Sequence, residues 1–124
     1  MKKILEIDNL LFKWKKKDDF YLKIKSFYIE KNNKVILFGK SGIGKSTLLN
    51  LVSGILEPVS GNIAINKTII NNLSQTKKDN FRANNIGVIF QQFNILDYLS
   101  PLTNILLPCY FTSFKKEDNN FFYK

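Results

Sequence analysis

The chain has 124 residues, the size of one modest domain, with 44% apolar and 23% charged residues; that balance excludes wholesale disorder and argues against two domains. Its longest apolar runs are far too short to span a bilayer, and Glu6, Asp8 and Asn9 break the stretch after Met1-Lys2-Lys3 that an export signal would need, so a cytoplasmic location is expected. The net charge of +9 rests on lysine, with Arg82 the single arginine; a Lys-rich solvated surface accounts for it, and no nucleic-acid partner is expected because arginine is the better reader of phosphates and bases.

Residues 4–12 and 20–29 are rich in Ile, Leu, Phe and Tyr and read as two β-strands joined by an exposed charged turn over Lys15-Lys16-Lys17-Asp18-Asp19. The run Lys34-Val35-Ile36-Leu37-Phe38, closed by Gly39, has the continuous apolar pattern of a strand buried on both faces. Leu48, Leu49, Leu51, Val52 and Ile55 then recur at helical spacing, with Gly54 placed to end the helix and Pro58 to forbid its continuation. Ser60-Gly61-Asn62 reads as a turn, and Ile63 and Ile65 alternate with Ala64 and Asn66 as a half-buried strand would. A short helix is expected around Asp79–Ala83 within the polar stretch from Asn71 to Asn85. Ile86-Gly87-Val88-Ile89-Phe90 is a second buried-strand candidate, ending at Gln91-Gln92. Ser100-Pro101 has the form of a helix start, hydroxyl at the N-cap and proline at the first helical position, ahead of an apolar face at Leu102, Ile105 and Leu106 that Pro108 interrupts. Cys109, the only cysteine, can make no internal disulfide and is expected as a small buried thiol.

One motif carries chemistry. Gly39-Lys40-Ser41-Gly42-Ile43-Gly44-Lys45-Ser46, followed by Thr47, matches G-x-x-x-x-G-K-[ST] at every fixed position. Glycines let such a loop turn and approach a ligand closely, so that consecutive N–H groups line a concavity and the next helix presents its positive end to the same point. Lys45 can reach β- and γ-phosphates as a point charge, and Ser46 can offer its hydroxyl to Mg²⁺. The competing reading is a glycine-rich strand-to-helix turn without a ligand.

Three further places narrow the class. Leu5-Glu6-Ile7-Asp8-Asn9-Leu10-Leu11-Phe12-Lys13-Trp14 resembles the opening of the ATP-binding cassette (ABC) ATPases, whose first strand leads to an aromatic residue that stacks on adenine. Trp14 falls at that position, where a ring packed at a strand end is the alternative. Gly39 to Gly54, with Glu57-Pro58-Val59-Ser60-Gly61, is similar to the family's Walker A helix and the turn after it. Ile86 to Gln91 resembles the strand entering the Q-loop, with Gln91 as its glutamine; Gln92 shares that chemistry, and a polar strand cap is the alternative. Gln91-Gln92-Phe93-Asn94-Ile95-Leu96, with Asn104-Ile105-Leu106-Leu107-Pro108, looks like the branch serving lipoprotein release and macrolide efflux.

The resemblance implies an α/β chain holding the N-terminal part of a P-loop NTPase (ABC ATPase) fold, an antiparallel β subdomain plus an incomplete parallel core. Residues 1–124 would form a single partial ATP-binding domain, with 1–99 the β subdomain and P-loop core through the Q-loop and 100–124 the start of the helical subdomain. It implies ATP and Mg²⁺ as cofactors. Trp14, Gly39, Lys40, Ser41, Gly42, Ile43, Gly44, Lys45, Ser46, Thr47 and Gln91 would contact the nucleotide, and Ser46 and Gln91 the metal. The partners implied are a transmembrane permease subunit and a second ATP-binding subunit or a missing C-terminal half, the chain lying peripherally on the inner face of the membrane.

The family's signature segment and Walker B strand are absent from these residues: no Ser-Gly-Gly occurs, and the acids beyond Gln91 are Asp97, Glu117 and Asp118. There is no histidine to act as the switch residue. The chain is therefore expected to be a truncated or split copy, with apolar core faces exposed and unstable in isolation. A nonhydrolysing or regulatory binding fragment is the alternative. A small P-loop kinase fits less well, since it would need arginine clamps that one arginine cannot supply.

Overall fold

The structure, a computed structural model, describes residues 2–14, 17–91 and 94–111. Gln92, Phe93, part of the charged turn at Lys15–Asp19 and the chain end at Lys115–Lys124 lie outside the described residues. The chain divides into two compact units, Met1–Ser74 and Gln75–Lys124, each taken by itself.

In the first unit, β1 (Lys3–Trp14) and β2 (Lys17–Glu30) pair antiparallel; both are longer than the strands expected at 4–12 and 20–29, and Lys17–Asp19, expected in the turn, belong to β2. The inward set changes phase midway in both strands at once. Leu5 and Ile7 are buried, then Leu10 and Phe12; opposite them Ile29 and Phe27, then Ile24 and Leu22, take the matching positions. The phase change falls at Asn9, whose φ is 49°, while the β1–β2 register runs unbroken from Asp8↔Ser26 to Leu10↔Ile24.

β3 (Ser60–Ile65) pairs with the other edge of β1, and β4 (Thr68–Ile69) extends the sheet to the order β2-β1-β3-β4, antiparallel throughout. Here the expected turn at Ser60-Gly61-Asn62 is corrected, because those residues belong to β3. Gly61 is a glycine for another reason. Its φ is 90°, and a Cβ there would lie 2.4 Å from the Asn9 carbonyl oxygen, at the irregularity where β1 shifts register between Asp8 and Leu11. A turn residue in the sequence is thus a close-approach residue in the sheet. The true hairpin turn is Asn66-Lys67, both with positive φ (48° and 67°), the two-residue geometry whose twist suits the flanking strands. Asn71 follows in a 3₁₀ turn, Ile70–Asn72. Its side-chain amide accepts from Ile63 N (2.9 Å) and donates to Gly61 O (3.1 Å), satisfying backbone groups of β3 beyond the reach of the short β4.

α1 (Lys45–Val52) is the expected amphipathic helix, with Leu51 fully buried. Gly54 ends it as predicted, at φ 70°. Its N–H bonds to Leu51 O (3.0 Å) and that of Ile55 to Asn50 O (2.9 Å), the paired closure that satisfies the last carbonyls of a helix.

In the second unit, α2 (Gln75–Asn85) is longer than the helix expected at Asp79–Ala83. Asn84 and Asn85 donate from their side chains to the carbonyls of Asn80 and Phe81, and Asp79 pairs with Arg82, so polar side chains carry a helix that has little apolar face. α3 (Pro101–Leu106) starts where the sequence predicts, Ser100 Oγ accepting from Thr103 N at 3.1 Å. Pro108 lies in the 3₁₀ turn Leu107–Phe111 that replaces further α-helix. Cys109 is half-buried rather than buried.

The two strands expected to be buried on both faces are not formed. Residues 33–40 and 86–90 carry no regular secondary structure, and Ile36, Phe38 and Ile89 are 72%, 85% and 100% exposed. A parallel strand needs neighbours delivered by crossover connections, and among the described residues no strand pairs with either segment. The parallel core is incomplete to the point that neither of its expected strands is established.

Candidate functional site

The loop from Gly39 to Gly44 leads from the exposed 33–38 segment into α1, and its geometry follows from its glycines and one lysine. Gly44 is the N-cap, left-handed at φ 107° and ψ 13°, and among the described residues no side chain caps the helix. The first intrahelical bond is Leu48 N to Gly44 O, 2.9 Å. The N–H groups of Lys45, Ser46 and Thr47 precede that bond, so they are the orphan donors of the first turn, and the helix dipole adds positive potential there. Ser41, Gly42 and Ile43 are exposed, as is Ser46 in the first turn.

Lys45 folds back over the loop. Its Nζ donates to Gly39 O (2.7 Å) and Lys40 O (2.8 Å), while Ile43 N reaches Lys40 O at 3.4 Å. The ammonium therefore closes the loop on itself, held by two neutral carbonyls. An anionic ligand would offer that cation a stronger, charge-assisted partner. Such an arrangement can hold an oxyanion between a cation and a row of backbone donors.

Trp14 ends β1 with a partly exposed ring, edge-on to Phe12 with centroids 5.1 Å apart and planes at 87°. One edge contact leaves part of the ring open, so packing and stacking are both compatible with its position. Gln91 is exposed and lies in the second unit, at the end of the irregular 86–90 segment rather than of a strand. Of the predicted site residues, the structure thus brings Gly39 to Thr47 into one loop and helix start.

Two residues that sequence reasoning left without a role organise these regions. In the first unit, Phe20 of β2 lies beneath Gly44; a Cβ on Gly44 would meet Phe20 Cζ at 2.9 Å and Leu22 Cδ1 at 3.9 Å. Its alternation with Leu22 and Ile24 was the available signal. In the second unit, Asn104 accepts from Leu96 N (2.9 Å) and donates to the carbonyls of Leu96, Leu99 and Ser100 (3.1–3.2 Å). It ties Leu96, Leu99 and Ser100 to α3, and the sequence marks it only as an asparagine in an apolar helical pattern, at the head of the Asn104–Pro108 run.

Among the described residues no group of three or more His, Cys, Asp or Glu could hold a metal, and no helix is long and apolar enough to cross a membrane.

The antiparallel sheet, the glycine loop and the helix behind it make up the N-terminal part of an α/β ATP-binding cassette. A solved dimeric cassette in a post-hydrolysis state, bound to ADP and Pi, superposes with a TM-score of 0.69 at 30% identity, over 87% of this chain and 47% of its own. The chain belongs to the ABC transporter family, whose profile matches residues 22–122. Similar proteins include an uncharacterised ABC transporter ATP-binding protein of Mycobacterium tuberculosis (45% identity, 67% of this chain, 34% of the relative). The ABC transporter ATP-binding protein YxdL of Bacillus subtilis is 46% identical over 70% of this chain and 34% of its own. The lipoprotein-releasing system ATP-binding protein LolD 2 of Rhodopirellula baltica is 42% identical over 58% and 28%. The chain spans about a third of the length of these curated relatives.

Proposed function

We propose that the chain is an ATP-binding part of an ABC transporter and holds MgATP at Gly39–Thr47. The observation that carries this is the loop itself, where among the described residues the N-terminus of α1 has no side-chain cap and Lys45 is held by the carbonyls of Gly39 and Lys40. On nucleotide binding, Lys45 would exchange Gly39 O and Lys40 O for the β- and γ-phosphates. The N–H groups at the start of α1 would take up phosphate oxygens. Ser46 fits a magnesium ligand: Mg²⁺ in such sites takes one or two protein oxygens, and its other positions are filled by phosphate and water. Gln91 would be a second oxygen donor, toward the metal and toward coupling with a transmembrane permease subunit. Trp14 would stack on the adenine.

These groups bind and neutralise charge; orienting a water for hydrolysis needs a carboxylate that the loop does not include. Turnover would then depend on the rest of a cassette and on a second ATP-binding subunit, as the dimeric solved relative suggests by analogy. The match to LolD 2 supports the lipoprotein-release branch.

The test is a MgATP titration followed by the emission of Trp14, the single tryptophan. Lys45→Ala should weaken binding by about thirtyfold or more, the cost of removing a cation from a charge-assisted contact. Equal affinity in the folded wild type and variant would refute the assignment.

A further inference from the structure

We infer that Phe20 is the positioning residue for the Gly39–Thr47 loop, the β2 side chain that sets where the first turn of α1 stands. The inference rests on the nucleotide-binding reading for its ligand, and on geometry for its substance. Gly44 joins loop and helix, and the ring tip of Phe20 lies 2.9 Å from where a Cβ on Gly44 would stand, with Leu22 Cδ1 beside it at 3.9 Å. Gly44 is glycine for its φ of 107°, and the ring tip beside it shows how closely β2 approaches the loop. α1 is otherwise anchored at its far end, where Leu51 is fully buried. A helix pinned at one end can tilt about that end, and the donors of Lys45, Ser46 and Thr47 move most. Phe20 fixes the second point.

The sheet explains why Phe20 can do this. β1 and β2 are joined by a ladder from Lys3↔Glu30 to Trp14↔Lys17, which makes β2 a stiff support. Phe12, the register partner of Leu22, carries Trp14 on its ring edge. One apolar face of one hairpin therefore underlies both the proposed adenine contact and the proposed phosphate contact. Small errors in placing binding groups weaken binding far out of proportion to their size.

The experiment uses the 124-residue chain as wild type, Phe20→Ala, Phe20→Leu and Ile65→Ala, the last a core truncation in β3. Without ligand, hydrogen exchange at the Leu48 amide, bonded to Gly44 O, should accelerate about tenfold in Phe20→Ala relative to amides of β1. Affinity for MgATP and for magnesium tripolyphosphate should fall together by about tenfold per folded molecule, recover in Phe20→Leu, and stay within about twofold of wild type in Ile65→Ala. Unchanged Leu48 exchange in Phe20→Ala overturns the inference whatever binds. So does an equal affinity loss in Ile65→Ala, or a loss confined to MgATP, which would put Phe20 at the base instead. If wild type binds neither ligand, the nucleotide reading fails while the exchange result still decides the role of Phe20.

Discussion

Ile7 and Ile36 are the same residue in two apolar stretches, and the fold treats them oppositely. Ile7 in β1 is 0% exposed; Ile36, inside the more apolar run Val35–Phe38, is 72% exposed. The difference lies in how partners reach them. β1 pairs with β2, which begins a few residues later in the chain, and with β3 across its other edge, both antiparallel, and each pairing covers backbone and side chains at once. Residues 35–38 have the pattern of a strand buried on both faces, which exists only inside a sheet with neighbours and covering helices. Apolarity proposes a strand, and pairing makes one. The 86–90 segment, with Ile89 wholly exposed, repeats the lesson in the second unit.

The sharpest way to break this comparison is to disable pairing where it succeeds. Gly61→Val would drive a branched side chain into the Asn9 carbonyl and the Leu10 backbone, 2.4–2.6 Å from its first carbon, at a φ of 90°. The β1–β3 ladder cannot relax around it without losing its register, so we expect a loss of about 4–5 kcal/mol in urea unfolding. A loss below about 1 kcal/mol would mean that the irregularity at Asn9 is soft. Next in size, Ile7→Ala empties a fully buried position and should cost about 3 kcal/mol by the same measurement, through lost transfer energy and the cavity left behind. The matched substitution Ile36→Ala serves as its reference and should be nearly silent.

What could be read in the sequence follows the same division. The loop and α1 were legible because their determinants are local: glycines for the turn, a 3.6-residue apolar period and Gly54 for the stop. Ser100 and Pro101 were legible as a helix start for the same reason. The hairpin was legible as two apolar runs with a charged connection, though the simultaneous phase change at Asn9 was not. Gly61 was misread because a glycine beside serine and asparagine signals a turn, and only a three-dimensional neighbour shows that its missing side chain makes room for Asn9. β4 and the Asn66-Lys67 turn escaped because two residues of strand carry no period. Val35–Phe38 and Ile86–Phe90 were misread because their pattern encodes an environment rather than a conformation. In the site, Lys45 and its loop were in the motif, whereas Phe20 was not; it acts from another strand, where its alternation with Leu22 and Ile24 marks an apolar face and not a role.

The smallest effect is expected where apolar residues stand in water, and it sharpens the comparison most. Phe38 is 85% exposed, so it buries little area in the folded chain and Phe38→Ser should change unfolding free energy by no more than about 0.5 kcal/mol. The same substitution should visibly improve solubility, because Phe38 belongs to a row of exposed apolar side chains in a segment that no strand pairs among the described residues, a surface that invites strand addition by other copies. Light scattering at fixed concentration would report it. A stability loss near that of Ile7→Ala would show that Phe38 is buried after all and would erase the distinction between the two regions. The converse measurement adds a polypeptide carrying the remainder of an ABC cassette. If residues 35–38 then enter a sheet, Phe38 becomes a core residue and its replacement should cost about 3 kcal/mol in the complex. A substitution silent in one setting and costly in the other would locate the difference between Ile7 and Ile36 in the supply of partner strands rather than in the residues themselves.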